Sequence, residues 1–346
     1  MPPLYVTRSE LRISGLCFSV IAIYYPRAGE HNWFKFRCMA FRMPLHSGRV
    51  LQQARPPFRA FSEAGESTFH RFDAAAKAMA FRNVFDGGLP MWMKLGELVQ
   101  KELPAAPSKI LSVGDGPGEP GCYLAAKFGA PTLCTDSVVP MVEAAKQRVK
   151  AKGLKNVECL VLDMQDLSTI ESSSIDLVAS AHAYPFSPDK PRAFAEAFRV
   201  LRPGGVFGAV VWVSFELLPF AGAIMSEVTG TTPAPPPPGS PPPPPLSLGE
   251  PSVSDPLLAG AGFELCAGTV APVSFTMTDL DVALKYCALP IWDRLTSMEE
   301  SGELPGAWAT YAAAWPEVAR AKGHLTDEGQ FSMSGVYRAI IAKKPM

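Results

Sequence analysis

Cysteine pairs at ligand spacing are missing from this chain. Cys17, Cys38, Cys122, Cys134, Cys159, Cys266 and Cys287 are scattered, with no CxxC and no histidine at ligand distance. That pattern excludes a zinc site of ordinary spacing and a disulfide framework, and leaves the seven as reduced core or surface thiols. Net charge is lacking too, at −1 over 346 residues. Beyond residue 60 the basic residues are spread out, which argues against a nucleic-acid surface. Acidic residues are scarce in residues 1–60, where Arg8, Arg12, Arg27, Lys35, Arg37, Arg42, Arg49, Arg55 and Arg59 face only Glu10 and Glu30. The apolar run Ile13 to Tyr25 is too short to span a bilayer, so no stable membrane insertion is expected.

What is present is a strand that runs straight into a glycine turn and then a helix: Ile110 to Gly121, ILSVGDGPGEPG. Gly114, Gly116 and Gly118 permit positive φ and close approach of a ligand to the backbone, and Pro120 suits the first turn of the following helix. The same glycines, with Gly121, spell GxGxxG, and Asp136 lies at about the distance of a ribose-binding acid, so the turn alone is also compatible with a dinucleotide. The downstream order narrows the choice. Short apolar strands are expected at Thr132 to Thr135, ending in Asp136, at Val157 to Leu162, ending in Asp163 and Met164, and at Ile175 to Ala181. A helix over Phe194 to Leu201 is closed by Arg202-Pro203-Gly204-Gly205, and the strand Val206 to Val213 follows.

This order resembles the class I S-adenosylmethionine-dependent methyltransferases, in particular the small-molecule branch with quinone, sterol and tocopherol methyltransferases. The likeness covers roughly residues 70 to 215 and rests on VGDGPG, TDSVVPMVEAA, LDMQDL, SIDLVAS and RVLRPGG in that order. One departure stands out: Ser112 occupies the place where the family has an acid two residues before the first glycine. The resemblance implies an α/β, Rossmann-like sheet of seven mostly parallel strands, helices on both faces and an antiparallel last strand beside the fifth. It also implies S-adenosyl-L-methionine as cofactor.

Carried over by position, Gly114, Asp115, Gly116 and Gly118 attend the methionine end, with Asp115 compensating for Ser112. Asp136 and Ser137 attend the ribose; Asp163 accepts from the adenine amino group, with Met164 against the ring. Asp176, opening its strand, reads as structural. The fourth strand ends in SAHAYP, from which this fold presents residues to the methyl group. His182 is the candidate general base or orienting group there, and Tyr184 the candidate hydrogen-bonding partner or cap. His70, Phe72 and Asp73 are expected in a helical segment that closes over the cofactor.

A single fold of this kind needs about 250 residues, and the surplus falls in three places. Residues 1–60 read as a targeting segment for a plastid or mitochondrion, or as an over-extended start whose true origin is Met39 or Met43, which would leave the protein cytoplasmic. Residues 61–346 form the methyltransferase domain. Within it Pro233 to Pro245 is an exposed polyproline loop, since proline fixes φ and lacks an amide donor. Residues 279–326 hold Tyr286, Trp292, Trp308, Tyr311 and Trp315 and read either as a lid over an apolar or cationic acceptor or as helices packed on the sheet edge. The expected activity is methyl transfer to a small organic molecule: a quinol or phenol, a lipid or a thioether acid. A non-catalytic scaffold that keeps the fold, and less readily an NAD-dependent oxidoreductase, are the alternatives.

Overall fold

A computed structural model of the chain describes the strands β1 (Tyr5–Ile13) and β2 (Leu16–Tyr24) and residues 89–346, apart from 233, 235, 236 and 238. The chain divides into two compact units, Met1–Ala60 and Phe61–Met346. In the first, β1 and β2 pair antiparallel in one register from Tyr5 opposite Tyr24 to Ile13 opposite Leu16. The apolar run from Ile13 therefore lies largely in a strand. His70, Phe72 and Asp73 fall outside the described residues.

The second unit opens with α1 (Leu89–Glu102), β3 (Ile110–Val113), α2 (Gly121–Phe128), β4 (Thr132–Asp136), α3 (Val139–Ala151), β5 (Val157–Val161) and β6 (Ile175–Ala181). It continues with α4 (Lys190–Val200), β7 (Leu201–Phe215), α5 (Leu217–Thr229), α6 (Pro251–Gly260), β8 (Glu264–Met277), α7 (Leu280–Ala288), α8 (Trp292–Glu300), α9 (Ala307–Ala321) and β9 (Phe331–Lys343). Seven strands form one sheet in the order β5-β4-β3-β6-β7-β9-β8. Pairing is parallel from β5 to β7, and β9 runs antiparallel to both β7 and β8. This is the Rossmann-like sheet expected from the sequence, with the last strand inserted antiparallel beside β7.

The strands alternate between two cores because successive side chains point to opposite faces. Val206, Val210 and Trp212 of β7 pack with α1, α5 and α7–α9, while Phe207, Ala209 and Val211 pack with Phe194 and Ala197 of α4 and Leu258 of α6. Gly208 marks the closest approach of α1: a Cβ there would lie 3.1 Å from both Leu95 and Val99.

The structure departs from the sequence reading of one segment. Arg202-Pro203-Gly204-Gly205 does not follow a helix as a closing turn but lies inside β7, where the register with β6 jumps from Leu201 opposite Ile175 to Val206 opposite Leu177. Gly204 takes φ +72° and its amide donates to the Lys344 carbonyl. The segment is thus a bulge fastened to the end of β9. Residues 279–326 are three helices, and Tyr286, Tyr311 and Trp315 are buried in the α1-side core, with Trp292 and Trp308 partly buried against it. Asp279 caps α7 by accepting from the amides of Asp281 and Val282. Asp176 does what its strand-opening position suggests: its buried carboxylate accepts from the Ser108 and Lys109 amides and pairs with Arg202. No helix among the described residues is long and apolar enough to cross a membrane.

Candidate cofactor and acceptor groove

A parallel sheet of this order leaves a crevice outside the carboxyl ends of its strands where the chain order reverses, here between β3 and its neighbours β4 and β6. The residues at those ends are half-exposed: Gly114 and Gly116 after β3, Asp136 and Ser137 at β4, Leu162 to Met164 after β5 and Ala181 to Ala183 at β6. Those beneath them, Ser112, Asp115, Thr135 and Ser180, are buried.

The turn is held by backbone geometry that only glycine supports. Gly114, Gly116 and Gly118 have φ of +66°, +53° and +109°. A Cβ at Gly114 would come 2.2 Å from the Ala183 Cβ and 3.5 Å from the Met164 Cε, so the turn after β3 touches both the β6 end and the segment after β5. Asp136 fastens the other side. Its Oδ2 accepts from the Gly116 amide and its Oδ1 from the Val138 amide, both at 2.9 Å. Asp163 accepts from the Gln165 amide at 2.9 Å and faces the Gln165 side chain at 3.4 Å, an Asx-type turn that sets Met164 beside the glycines.

Two residues read from the sequence as site residues lie elsewhere. Asp115 is 1 % exposed, with its carboxyl turned beneath the glycine turn, where it accepts a short hydrogen bond from the Ser112 hydroxyl. Burial pushes its pKa up from 3.8 to about 8, helped by Glu119 and Asp136 and opposed by hydrogen bonds from Cys134 and Ser112, so this carboxyl is protonated at neutral pH. Tyr184 is also 1 % exposed. It stacks on Phe194 at 4.8 Å and meets Phe207 edge-on, in the core on the α4 side of the sheet. That is the face opposite the His182 ring, because the two side chains leave the β6 end in different directions. Burial raises its phenol pKa above the ordinary value.

His182 sits at the mouth of the groove with φ +59°, which is uncommon for a residue bearing a Cβ, and its amide donates to the Val210 carbonyl at 2.8 Å. The imidazole lies flat on Trp212 at 4.4 Å with 10° between planes, and Trp212 in turn lies flat on Phe215 at 4.2 Å. Trp92 of α1 closes the other side at 6.1 Å. The stack is tight, since a Cβ at Gly335 would come 2.7 Å from the Trp212 ring. Both ring nitrogens are buried and have no hydrogen-bond partner among the described residues. Burial lowers the pKa from 6.5 to about 3, so the ring is neutral. The tryptophans at 92 and 212 escaped sequence reading because each looks like core filler, and only the fold sets them on either side of His182.

A turn rigid enough to keep its glycines, a carboxylate placed for vicinal hydroxyls and a neutral imidazole in an aromatic slot fit a nucleoside donor beside an acceptor. Residues 111–209 match the family model of a methyltransferase domain. Methyltransferase GfsG of Streptomyces halstedii is 29 % identical over 43 % of this chain and 57 % of its own length. Demethylmenaquinone methyltransferase of Thermus thermophilus is 29 % identical over 37 % and 64 %. The chain therefore spans less than two thirds of the length of these curated relatives. Among solved structures, a Haemonchus contortus phosphoethanolamine N-methyltransferase 2, in complex with phosphomonomethylethanolamine and S-adenosylhomocysteine, aligns with a TM-score of 0.47 at 16 % identity, over 80 % of this chain and 60 % of that one.

Proposed function

We propose, from the match of residues 111–209 to the family model of a methyltransferase domain, that the protein is a class I S-adenosylmethionine-dependent methyltransferase and methylates a small organic molecule bound against His182. The observation that carries the proposal is the half-exposed Asp136 carboxylate at the end of β4, anchored on the Gly116 amide of the glycine turn at the switch point of the sheet. When bound, S-adenosylmethionine supplies an electrophilic methyl group on a sulfonium. Gly114 and Gly116 give the methionine end a surface without side chains, Asp136 and Ser137 hold the ribose, and Asp163 with Met164 bounds the adenine.

The chain's own contribution to chemistry is alignment and exclusion of water. In-line displacement needs the acceptor atom fixed, and effective molarity is what a stiff site provides. Trp92 and Trp212 exclude water and leave the His182 ring nitrogens as the polar points in an aromatic slot. A base whose conjugate acid has a pKa near 3 is a poor proton acceptor at neutral pH, so His182 orients the acceptor by hydrogen bonding and does not deprotonate it. That favours an acceptor that takes the methyl with no proton to remove, such as a thioether, over an unactivated hydroxyl.

Isothermal titration of the purified chain should give micromolar affinity for S-adenosylmethionine and S-adenosylhomocysteine, with Asp136→Ala severely weakening both. Binding of NADH in their place would refute the proposal. A metabolite panel with labelled methyl donor then identifies the acceptor.

A further inference from the structure

Three cysteines far apart in the sequence meet under the glycine turn. Cys134 of β4 stands directly opposite Cys159 of β5 in the parallel register. Cys122, in the first turn of α2, reaches the same spot, and the Cys134 thiol is in hydrogen-bonding contact with both. Cys122 and Cys134 are 0 % and 1 % exposed, whereas Cys159 is half-buried on the edge strand of the sheet, where solvent reaches it. The hydrogen bond from Cys134 and, after it, the Lys146 ammonium of α3 lower its pKa, against burial and the carboxylates of Glu143 and Glu158. On its other side Cys134 touches the cofactor turn. A Cβ at Gly121 would lie 2.3 Å from the Cys134 sulfur and 2.2 Å from the Asp115 Oδ2, so thiol, carboxyl and turn are pressed together with no spare volume.

We propose that Cys159 and Cys134 form a peroxide-responsive thiol pair, oxidised to a disulfide that deforms the base of the glycine turn. Residues opposite one another on neighbouring strands have Cα atoms about 4.8 Å apart, inside the span of roughly 4.4–6.8 Å that a disulfide bridges. The Cys159 thiolate attacks hydrogen peroxide, the O–O bond breaks, hydroxide leaves and takes a proton to become water, and a sulfenic acid remains. The Cys134 thiol then attacks that sulfur; the S–S bond forms, the S–O bond breaks, and the departing hydroxide takes the Cys134 proton as a second water. Two thiol sulfurs lose two electrons in total and the peroxide gains them. The Cys134 sulfur must swing toward β5, which withdraws its hydrogen bond from Asp115 and the packing under Gly121. The loss of cofactor affinity that follows rests on the methyl-donor reading of the groove; the bond itself does not.

The test treats the full chain with hydrogen peroxide, alkylates remaining thiols and maps peptides by mass spectrometry before and after dithiothreitol. A Cys134–Cys159 linked peptide, lighter by two hydrogens and released by reductant, is the expected result. It should be absent in Cys159→Ser and Cys134→Ser and persist in Cys122→Ser. S-adenosylhomocysteine binding should weaken by about tenfold or more on oxidation, as the fraction of chains with a competent turn falls, and recover on reduction. Cys159→Ser should keep its affinity under peroxide. A Cys122–Cys134 link, oxidation confined to the exposed Cys266, or a Cys134–Cys159 link without change in affinity would each overturn the proposal. Should the reduced protein bind no S-adenosylhomocysteine while the link still forms, the methyltransferase reading fails and the thiol pair stands.

Discussion

Single residues decide the behaviour of the groove through the charge they are allowed to carry. The Asp115 carboxyl and the ring nitrogens of His182 are buried and neutral, and their linkage to pH runs in opposite senses. For Asp115 the pKa rises from 3.8 to about 8 on folding, so its contribution to stability is fully present below 3.8 and is lost as pH climbs through 8. Asp115→Asn keeps the shape without the ionisable proton. Denaturant titrations from acid to pH 9 should therefore show wild type losing stability relative to this variant as pH rises. His182, lowered from 6.5 to about 3, contributes stability present above 6.5 and lost on acidification toward 3. In kinetics the same shift predicts no ionisation of His182 near neutrality. The kcat profile should lack an inflection from this residue between pH 6 and 8, and His182→Asn, which retains a hydrogen-bonding group, should hold more activity than His182→Ala. Gly114→Ala should abolish cofactor binding, because its methyl would be driven into Ala183 at 2.2 Å while the backbone keeps φ +66°.

At the scale of elements, fastening points matter more than the elements' own propensities. Strand β9 is tied to α6 by Arg338, 5 % exposed, which donates to the Ser254 hydroxyl and the Asp255 carboxylate, each at 2.7 Å. Helix α9 is tied to α7 by the Tyr311 hydroxyl, which donates to the Leu284 carbonyl at 2.6 Å. Tyr311→Phe should lower unfolding free energy by about 1 kcal/mol, the net value of one such bond. Trp315→Ala, which empties a fully packed position, should cost about 3–5 kcal/mol. Chemical denaturation monitored by circular dichroism checks both. That size of loss at Trp315 would mark α7–α9 as part of the core, and a much smaller one would mark them as a detachable cover. The polyproline segment is the contrasting case. Its last turn, Pro244–Leu246, meets the core through Leu246 and is fastened where the Ser247 hydroxyl donates to the Pro185 carbonyl, while Pro241 to Pro244 are exposed.

Across the whole molecule, a ligand that binds only the folded state must raise its stability. At a hundredfold excess over its dissociation constant, S-adenosylhomocysteine should add about 2.7 kcal/mol, seen as a rise in Tm that Asp136→Ala largely loses. Replacing residues 231–243 by a short glycine-serine linker should leave that rise and the urea midpoint nearly unchanged, because the described residues of that stretch are exposed. A drop of several degrees would show that the loop supports the fold.

By itself the sequence determined the strands around the glycine turn and the turn itself, through local signals: short apolar runs, glycine at positions of positive φ, and an acid at a strand end. The antiparallel last strand followed from the family resemblance, and the order of the strands in the sheet came from the structure. It also placed Asp136 and His182 at the mouth of the groove, since residues at strand ends in such a sheet share one edge. Only the tertiary structure decided where the side chains point. Asp115 and Tyr184 read as site residues yet turn inward, because a one-residue difference around a tight turn selects the opposite side. RPGG, which reads as the end of a helix, is a bulge because β9 offers it the Lys344 carbonyl. Trp92, Trp212 and the trio Cys122, Cys134 and Cys159 carry no local signature at all, and their juxtaposition exists only where the sheet and its flanking helices bring distant segments within contact distance.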